Sequence, residues 1–456
     1  MPSSPGVKIL LAAHQFFPES RAGTEILTLG LARALRARGH AVWVLAAKRS
    51  RPFSELRPGE VEDYLVDGIP VRRVGRPHES LSRPYILNYR NPQMAALVRD
   101  YAMEIRPEVV HFMHLQGLSA TAVHAVREVF PVIYTATDFW AICPVVDLRR
   151  HDGKMCLGPD MGHCPRCLAS RQPDYVPTRL LARVPAGVFR LASGLTHLPA
   201  GAAPMPLRQL RYLRWRQAYI REAVNSSDLV LAPSRLMKEL LVRNGINPRL
   251  VRVTAYGIDT SRIPRSASER KEKGPLRVSF IGTLAPHKGC DLLIRAFRRL
   301  PRHASAVLAI HGPSTGFESF GERLARLAGG DRRIVFHGAF PPERVGDVLS
   351  RTDVLVVPSR WYENTPVVIY QAFAAGVPVV ATNLGGMSEV VEHGRNGLLF
   401  QLDDVAGLER QLRRLVEEPG LLERLRSGIG PVKTVEQSAK EMELVYSEIV
   451  ARRSDG

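Results

Sequence analysis

The sequence predicts an α/β protein built from two doubly wound parallel sheets, one in each half of the chain. Three observations predict it. Short apolar runs bounded by glycine, proline or polar turns alternate with longer amphipathic stretches, as strands do with their crossover helices. This rhythm lapses once, over about residues 143–221, and restarts after a polar linker near residue 260. The length of 456 residues suits two to four domains at about 100–200 residues each.

The elements follow in order. Residues 7–12 (VKILLA) read as a buried strand rather than as part of a secretory signal. The turn RAGTE leads into a helix over about residues 24–38, with Ile26, Leu27, Gly30, Leu31, Ala34 and Leu35 on one face. Gly39 ends it as a C-terminal glycine does. Strands are expected at 42–46, 71–74, 109–112, 132–135 and 229–232. The linker 260–275 (TSRIPRSASERKEKGP) is polar and charged, and marks a boundary. Beyond it come a strand at 276–281, a glycine turn and a helix from about Cys290. Further strands are expected at 306–310, 334–337, 354–357, 379–381 and 398–400. The expected organisation is a first domain over residues 1–259, with an insertion at about 143–221, and a second over 260–434. A final helix over about 435–452 crosses back to the first domain.

Composition narrows the class. With 45% hydrophobic and 23% charged residues the chain folds as an ordinary globular protein, and disorder is excluded as its main state. A core of this size needs no disulfide or metal staple. No apolar run approaches the ~18–20 residues of a membrane span, so a cytoplasmic chain with reduced cysteines is expected. The net charge of +19 is the outlying value, and it points to an anionic partner: nucleic acid, a membrane surface or a phosphorylated ligand.

Two segments carry the chemistry. In FIGTLAPHKGCDLLIRAF, residues 280–297, a strand ends at Gly282, Thr283 follows, and Lys288–Gly289 precede a helix. Backbone N–H groups at such a helix start attract phosphate, and the lysine adds a full charge; an ordinary strand–turn–helix with an exposed lysine is the plainer reading. In VVPSRWYENTPVVIYQAFAAGVPVVATNLGGMSEVVEHGRNGLLF, residues 356–400, a strand ends at Pro358 and a loop presents Glu363, Asn364 and Thr365. Pro366 suits the first turn of the next helix. Glu363 then lies at the carboxyl edge of a parallel sheet, where ligands bind, and can accept sugar hydroxyls; the plainer reading is a capping acid.

Together, the Lys-Gly loop, the PS…E-N-x-P segment some 75 residues later, A-G-x-P-V-V-A, GG-x-x-E and G-x-N-G resemble the retaining glycosyltransferases of family 4. Their GT-B architecture sets two Rossmann-like domains facing a cleft. HQFFPESRAGTEILTLGLARALRARGHAVWVL is similar to that family's opening strand, glycine loop and helix. YTATDFWAICP and TAYGID are similar to two further first-domain segments, and only about residues 171–220 fall outside the likeness.

The resemblance implies a nucleotide-sugar donor, with a UDP- or GDP-sugar expected, and a saccharide or lipid-linked acceptor in cell-envelope or surface polysaccharide synthesis. It places Lys288 on the donor diphosphate and Glu363 on the donor sugar as the catalytic pair. Gly282, Thr283, Gly289, Asn364, Thr365, Gln371, Gly385 and Gly386 complete the donor pocket. Gly23 and Thr24 lie near the diphosphate and acceptor, with Thr137, Asp138 and His114 on the acceptor side. Three positions depart from the family: Gln371 stands for a second Glu, Thr283 for an Arg and Thr137 for a His. Retention is pictured as attack on the face from which the nucleotide leaves, with the donor phosphate helping to remove the acceptor proton. That chemistry needs stabilisation of the leaving diphosphate more than a protein base. The chain has no Asp-x-Asp segment, so no divalent metal at the diphosphate is indicated and no cofactor is required for catalysis.

Other residues remain. Cys143, Cys156, Cys164 and Cys167 include one CxxC pair and are expected to hold a structural zinc or to be buried thiols or a redox pair. Cys290 reads as a small core residue. His111 and His114, at a strand end, read as cleft-edge groups or as structural histidines. Residues 171–221 carry nine arginines against one aspartate, interleaved with Leu, Phe, Tyr and Trp. Such segments lie against an anionic membrane or form a solvated face, so a peripheral position at the inner membrane face is expected. Nucleic-acid binding is disfavoured, since no zinc-finger array, RNA-recognition signature or helix-turn-helix occurs. A dinucleotide enzyme is disfavoured because the first turn lacks Gly-x-Gly-x-x-Gly. Another GT-B sugar-nucleotide enzyme, or an inactive relative, is the nearest alternative.

Overall fold

The computed structural model describes residues 6–48, 56–76, 85–171, 184–194, 205–264, 274–364 and 366–454. The chain divides into two compact units, residues 1–256 with 435–456, and residues 257–434.

In the first unit the chain runs through β1 (Lys8–Ala13), α1 (Gly23–Ala37), β2 (Ala41–Lys48), β3 (Val61–Val66) and β4 (Ile69–Gly75). It continues through α2 (Pro92–Ile105), β5 (Val109–Phe112), α3 (Thr121–Arg127) and β6 (Val132–Thr135). Then come α4 (Cys164–Arg171), α5 (Ala186–Gly194), α6 (Met205–Asn225), β7 (Leu229–Ala232), α7 (Arg235–Arg243) and β8 (Val251–Val253). The sheet order is β3-β4-β2-β1-β5-β6-β7-β8. Every neighbouring pair is parallel except β3–β4. The central strands β1, β5 and β6 are buried on both faces because helices cover both. Two strands lie outside the sequence expectation. β3 is polar and largely exposed, and β8 is only three residues long, so neither carries a strong burial pattern.

The second unit holds β9 (Leu276–Ile281), α8 (Cys290–Arg298), β10 (Ala306–His311), α9 (Glu318–Ala328), β11 (Ile334–Gly338) and α10 (Val345–Leu349). After these come β12 (Val354–Val357), α11 (Val367–Ala374), β13 (Val379–Thr382), α12 (Gly386–Val390), β14 (Gly397–Phe400), α13 (Val405–Glu417) and α14 (Leu421–Ser427). Its sheet is wholly parallel in the order β11-β10-β9-β12-β13-β14. α8 packs Leu292, Leu293, Ile294, Ala296 and Phe297 into the core, each large side chain contributing about 1.5–3 kcal/mol. Asp353, fully buried ahead of β12, takes the Arg277 guanidinium at 2.9 and 3.1 Å and Arg426 at 3.0 Å. Burial pushes its carboxyl up, and the Arg277 bonds and charge overcome this and hold it below the usual range.

The last helix, α15 (Val435–Ser454), belongs to the first unit. Val435, Ala439, Met442, Val445, Tyr446 and Ile449 repeat at helical spacing and join the core of α1, β1 and β2. The Tyr446 hydroxyl meets His111 Nδ1 at 2.9 Å, and the opposite ring nitrogen meets Thr135 Oγ1 at 2.6 Å. His111 is therefore a structural link from β5 to α15, not a cleft-edge group. Burial pushes its pKa down from 6.5 to about 3. The neutral ring is favoured in the folded state, so its contribution is full above pH 6.5 and is lost as pH falls towards 3. Stability should fall by up to about 1.4 kcal/mol per pH unit in that window from this group alone. His111→Gln should show a correspondingly shallower slope of unfolding free energy between pH 6.5 and 5; an unchanged slope contradicts the assignment.

The arginine-rich stretch is less uniformly a surface than its composition suggests. Arg179 and Arg183 lie outside the described residues. Arg216 is buried, its guanidinium donating to the Trp140 carbonyl with its carbon 5.0 Å from that ring's centroid. Arg171 pairs with Asp147, and Arg190 with Asp160 at 3.3 Å.

Candidate active site

In the second unit, β9, β12 and β13 are adjacent and parallel, so the loops after them leave the sheet at one edge. The β9 loop runs through Gly282, Thr283 and a 3-10 turn at Pro286–Lys288 before Gly289 opens α8. Gly289 has φ 72°, and a Cβ there would stand 1.9 Å from the Pro358 carbonyl oxygen in the β12 loop. Only glycine lets these two backbones touch. The same holds at the third loop: a Cβ on Gly386 would lie 2.1 Å from the Asn364 carbonyl oxygen. The Gly386 N–H donates instead to the Glu363 carbonyl at 3.1 Å. Gly385, with φ 57° and ψ −138°, makes that approach possible.

These contacts bring the two predicted catalytic residues together. Lys288 Nζ donates to Glu363 Oε1 at 2.7 Å. Ser359 Oγ donates to the same oxygen at 2.7 Å, and Trp361 Nε1 at 2.8 Å. All three converge on Oε1, so Oε2 takes no bond from the described residues. Burial raises the Glu363 carboxyl, but the Lys288 charge and these hydrogen bonds outweigh it and leave the group below its usual range. Glu363 is thus ionised at neutral pH with one oxygen unengaged. The Lys288 ammonium also lies 5.0 Å from the Trp361 ring centroid, and the His287 ring lies 4.4 Å from Trp361.

Arg360 braces the pair. Its guanidinium reaches Asp291 at 2.6 and 3.1 Å and also holds Asp403, while its N–H donates to the His287 carbonyl at 2.7 Å. Its charge is spent on two carboxylates, so it does not replace the cation missing at Thr283. Gln371 lies half-buried on α11, its amide making no hydrogen bond with the described residues. Asn364 is buried beside Glu363. Thr365 lies outside the described residues, and Pro366 stands one position before α11 rather than in its first turn. Ser359, Arg360, Trp361 and Asp291 join the candidate site without having been singled out in the sequence; the P-S-x-W segment and the aspartate after Gly289 were the available signals.

The first unit has its own polar group at the carboxyl edge of β1, β5 and β6. The Gln116 N–H donates to His114 Nδ1 at 2.9 Å, so Nε2 carries the proton that it gives to Asp138 Oδ2 at 2.6 Å. Asp138 Oδ1 accepts from the Trp140 N–H at 2.8 Å. Thr137 Oγ1 donates to the Met113 carbonyl at 3.0 Å. Two residues that sequence reasoning passed over complete the group: the His14 ring lies 4.3 Å from the His114 ring, and Nε2 of His14 is 3.4 Å from Glu25 Oε1. Burial, then His114 and Arg76, push the His14 pKa well down; burial also pushes the fully buried Glu25 carboxyl up. Gly23 and Thr24 open α1, and a Cβ on Gly23 would meet nothing, so sterics there do not demand glycine.

Cys143, Cys156, Cys164 and Cys167 line one small cavity. Among the described residues, no three Cys, His, Asp or Glu side chains already stand together as a metal-binding group. Cys290 is fully buried in the α8 core.

The family model described as Glycosyltransferase Family 4 matches residues 21–155 and 163–262. That for Glycosyl transferases group 1 matches residues 262–429. A D-inositol 3-phosphate glycosyltransferase of Rhodococcus jostii (strain RHA1) is 33% identical over 224 residues, which is 46% of this chain and 49% of that protein. The chain spans about half the length of the curated relatives it matches. A sucrose-phosphate synthase from Thermosynechococcus elongatus superposes with a TM-score of 0.67 and 17% identity over 98% of this chain and 100% of that one. Anabaena HepE, solved in complex with UDP and glucose, gives a TM-score of 0.60 at 17% identity over 97% and 99% of the two chains. At these identities the likeness is one of fold.

Proposed function

The chain belongs to glycosyltransferase family 4, and we propose that it moves a sugar from a nucleotide-sugar donor to an acceptor with retention of anomeric configuration. The Lys288–Glu363 contact at the carboxyl edge of a parallel sheet carries this reading. A cation and an ionised carboxylate held side by side suit a ligand that is anionic at one end and rich in hydroxyls at the other.

Lys288 exchanges Glu363 Oε1 for an oxygen of the donor diphosphate, joined by backbone N–H groups at the Gly289 turn and by that of Gly385. These donors stabilise the charge that grows on the diphosphate as its bond to the sugar breaks. Glu363 Oε2 accepts a hydroxyl of the sugar and orients it. The acceptor oxygen bonds to the anomeric carbon on the face the diphosphate leaves, and its proton passes to the departing phosphate oxygen. Gln371 offers its amide carbonyl to the ribose, a neutral acceptor where a carboxylate would bind more strongly. A UDP- or GDP-sugar is the proposed donor; HepE, solved with UDP, supports a nucleoside diphosphate.

The proposed acceptor is a saccharide or lipid-linked saccharide of the cell envelope. α5 supports a membrane-facing role, since Val188 and Leu191 are 51% and 76% exposed beside Arg190. Preferential pelleting with anionic over neutral vesicles is expected, and equal pelleting would count against that role. The donor reading is tested by thermal shift against UDP-, GDP-, ADP- and dTDP-sugars. One nucleotide class should raise the unfolding temperature selectively; no shift with any of them would overturn it.

A further inference from the structure

We infer that Cys143, Cys156, Cys164 and Cys167 bind one zinc ion in a tetrahedral four-thiolate site that is separate from the transfer chemistry. The four cysteines come from three separate places: the loop leaving β6, the turn around the Arg149–Met155 bridge, and the first turn of α4. They nevertheless border one small cavity of about 10 Å³. That is about the room one water-sized sphere needs, enough for a single ion and not for an organic ligand.

A backbone N–H aims at one of the sulfurs. The Asp160 N–H donates to Cys164 Sγ at 3.3 Å. Donors of this kind orient and stabilise metal thiolates.

The four groups ring the cavity as thiols and do not converge on a common point. Cys156 spends its proton on the Gly158 carbonyl at 2.9 Å. Entry of Zn²⁺ releases four protons and pulls the sulfurs to about 2.3 Å from the metal. The product carries two negative charges, and Arg149 and Arg150 border the same cavity to offset them. Four thiolates select zinc over magnesium or calcium. The ion would tie α4 to the loop that carries Asp138, five residues before Cys143, and so anchor the insertion.

The test uses the full chain purified without chelator. Elemental analysis should give about one zinc per chain, with Cys290 the one cysteine outside the site. Replacing the zinc with cobalt(II) should give the ligand-field absorption of a tetrahedral thiolate site. Cys164→Ser should lose the metal, and His163→Gln, at the cavity border, should keep it. Folded wild-type protein with less than about 0.2 zinc, one or two disulfides found by mass spectrometry, or iron in place of zinc would each overturn the inference.

Discussion

Lys288→Ala is expected to lower kcat by about 10²–10³-fold, the worth of about 2.7–4 kcal/mol for one donor aimed at developing charge. The effect is large because Arg360, the nearby alternative cation, is held by Asp291 and Asp403, and because position 283 is a threonine. The variant also exposes the linkage at Glu363. In the wild type the lowered carboxyl pKa adds stability above the unfolded value of about 4.3, and that stability is lost as pH falls through the folded value. Without Lys288 this contribution shrinks, so the variant's loss of stability should be greater at pH 7 than at pH 4. Equal losses at both, measured by denaturant unfolding, would show that the contact does not hold the carboxylate in its charged form.

Glu363→Gln is expected to lower kcat roughly 10–100-fold, matching about 1.5–3 kcal/mol for a hydrogen bond to a charged group. Its effect on nucleotide binding has the opposite sign to that of Lys288→Ala. The carboxylate competes with the donor diphosphate for the ammonium, so neutralising it frees Lys288. Nucleoside diphosphate should bind as tightly as to the wild type or more tightly, while turnover falls. A variant that loses both together would mean that Glu363 mainly builds the loop, through the carbonyl that the Gly386 N–H caps, and does not touch the sugar.

Much of this was legible in the chain. The strands β5, β6, β7, β9 and β12 match the expected ranges residue for residue, because a strand buried on both faces is hydrophobic at most of its positions. Lys288 and Glu363 were legible from their motifs, though not their direct contact. That contact depends on Gly289 and Gly386 letting three loop backbones meet, and a linear pattern does not encode which backbones meet. His14 and Glu25 stayed hidden because each reads as part of an ordinary strand end or helix start; only the parallel order β1-β5-β6 brings them to His114 and Asp138. β3 was illegible because an exposed edge strand has no core to pattern its residues. Arg216 misled in the other direction, since composition counts a charge and cannot tell that the guanidinium is buried against Trp140.

The central claim is that Lys288 holds the diphosphate end and Glu363 the sugar end of one donor. Calorimetric titration of the wild type, Lys288→Ala and Glu363→Gln with a nucleoside diphosphate and with the matching nucleotide-sugar tests it most directly. Lys288→Ala should weaken both ligands. Glu363→Gln should leave the diphosphate bound at least as tightly and remove the added affinity that the sugar confers. Wild-type affinity for both ligands in both variants would contradict the account.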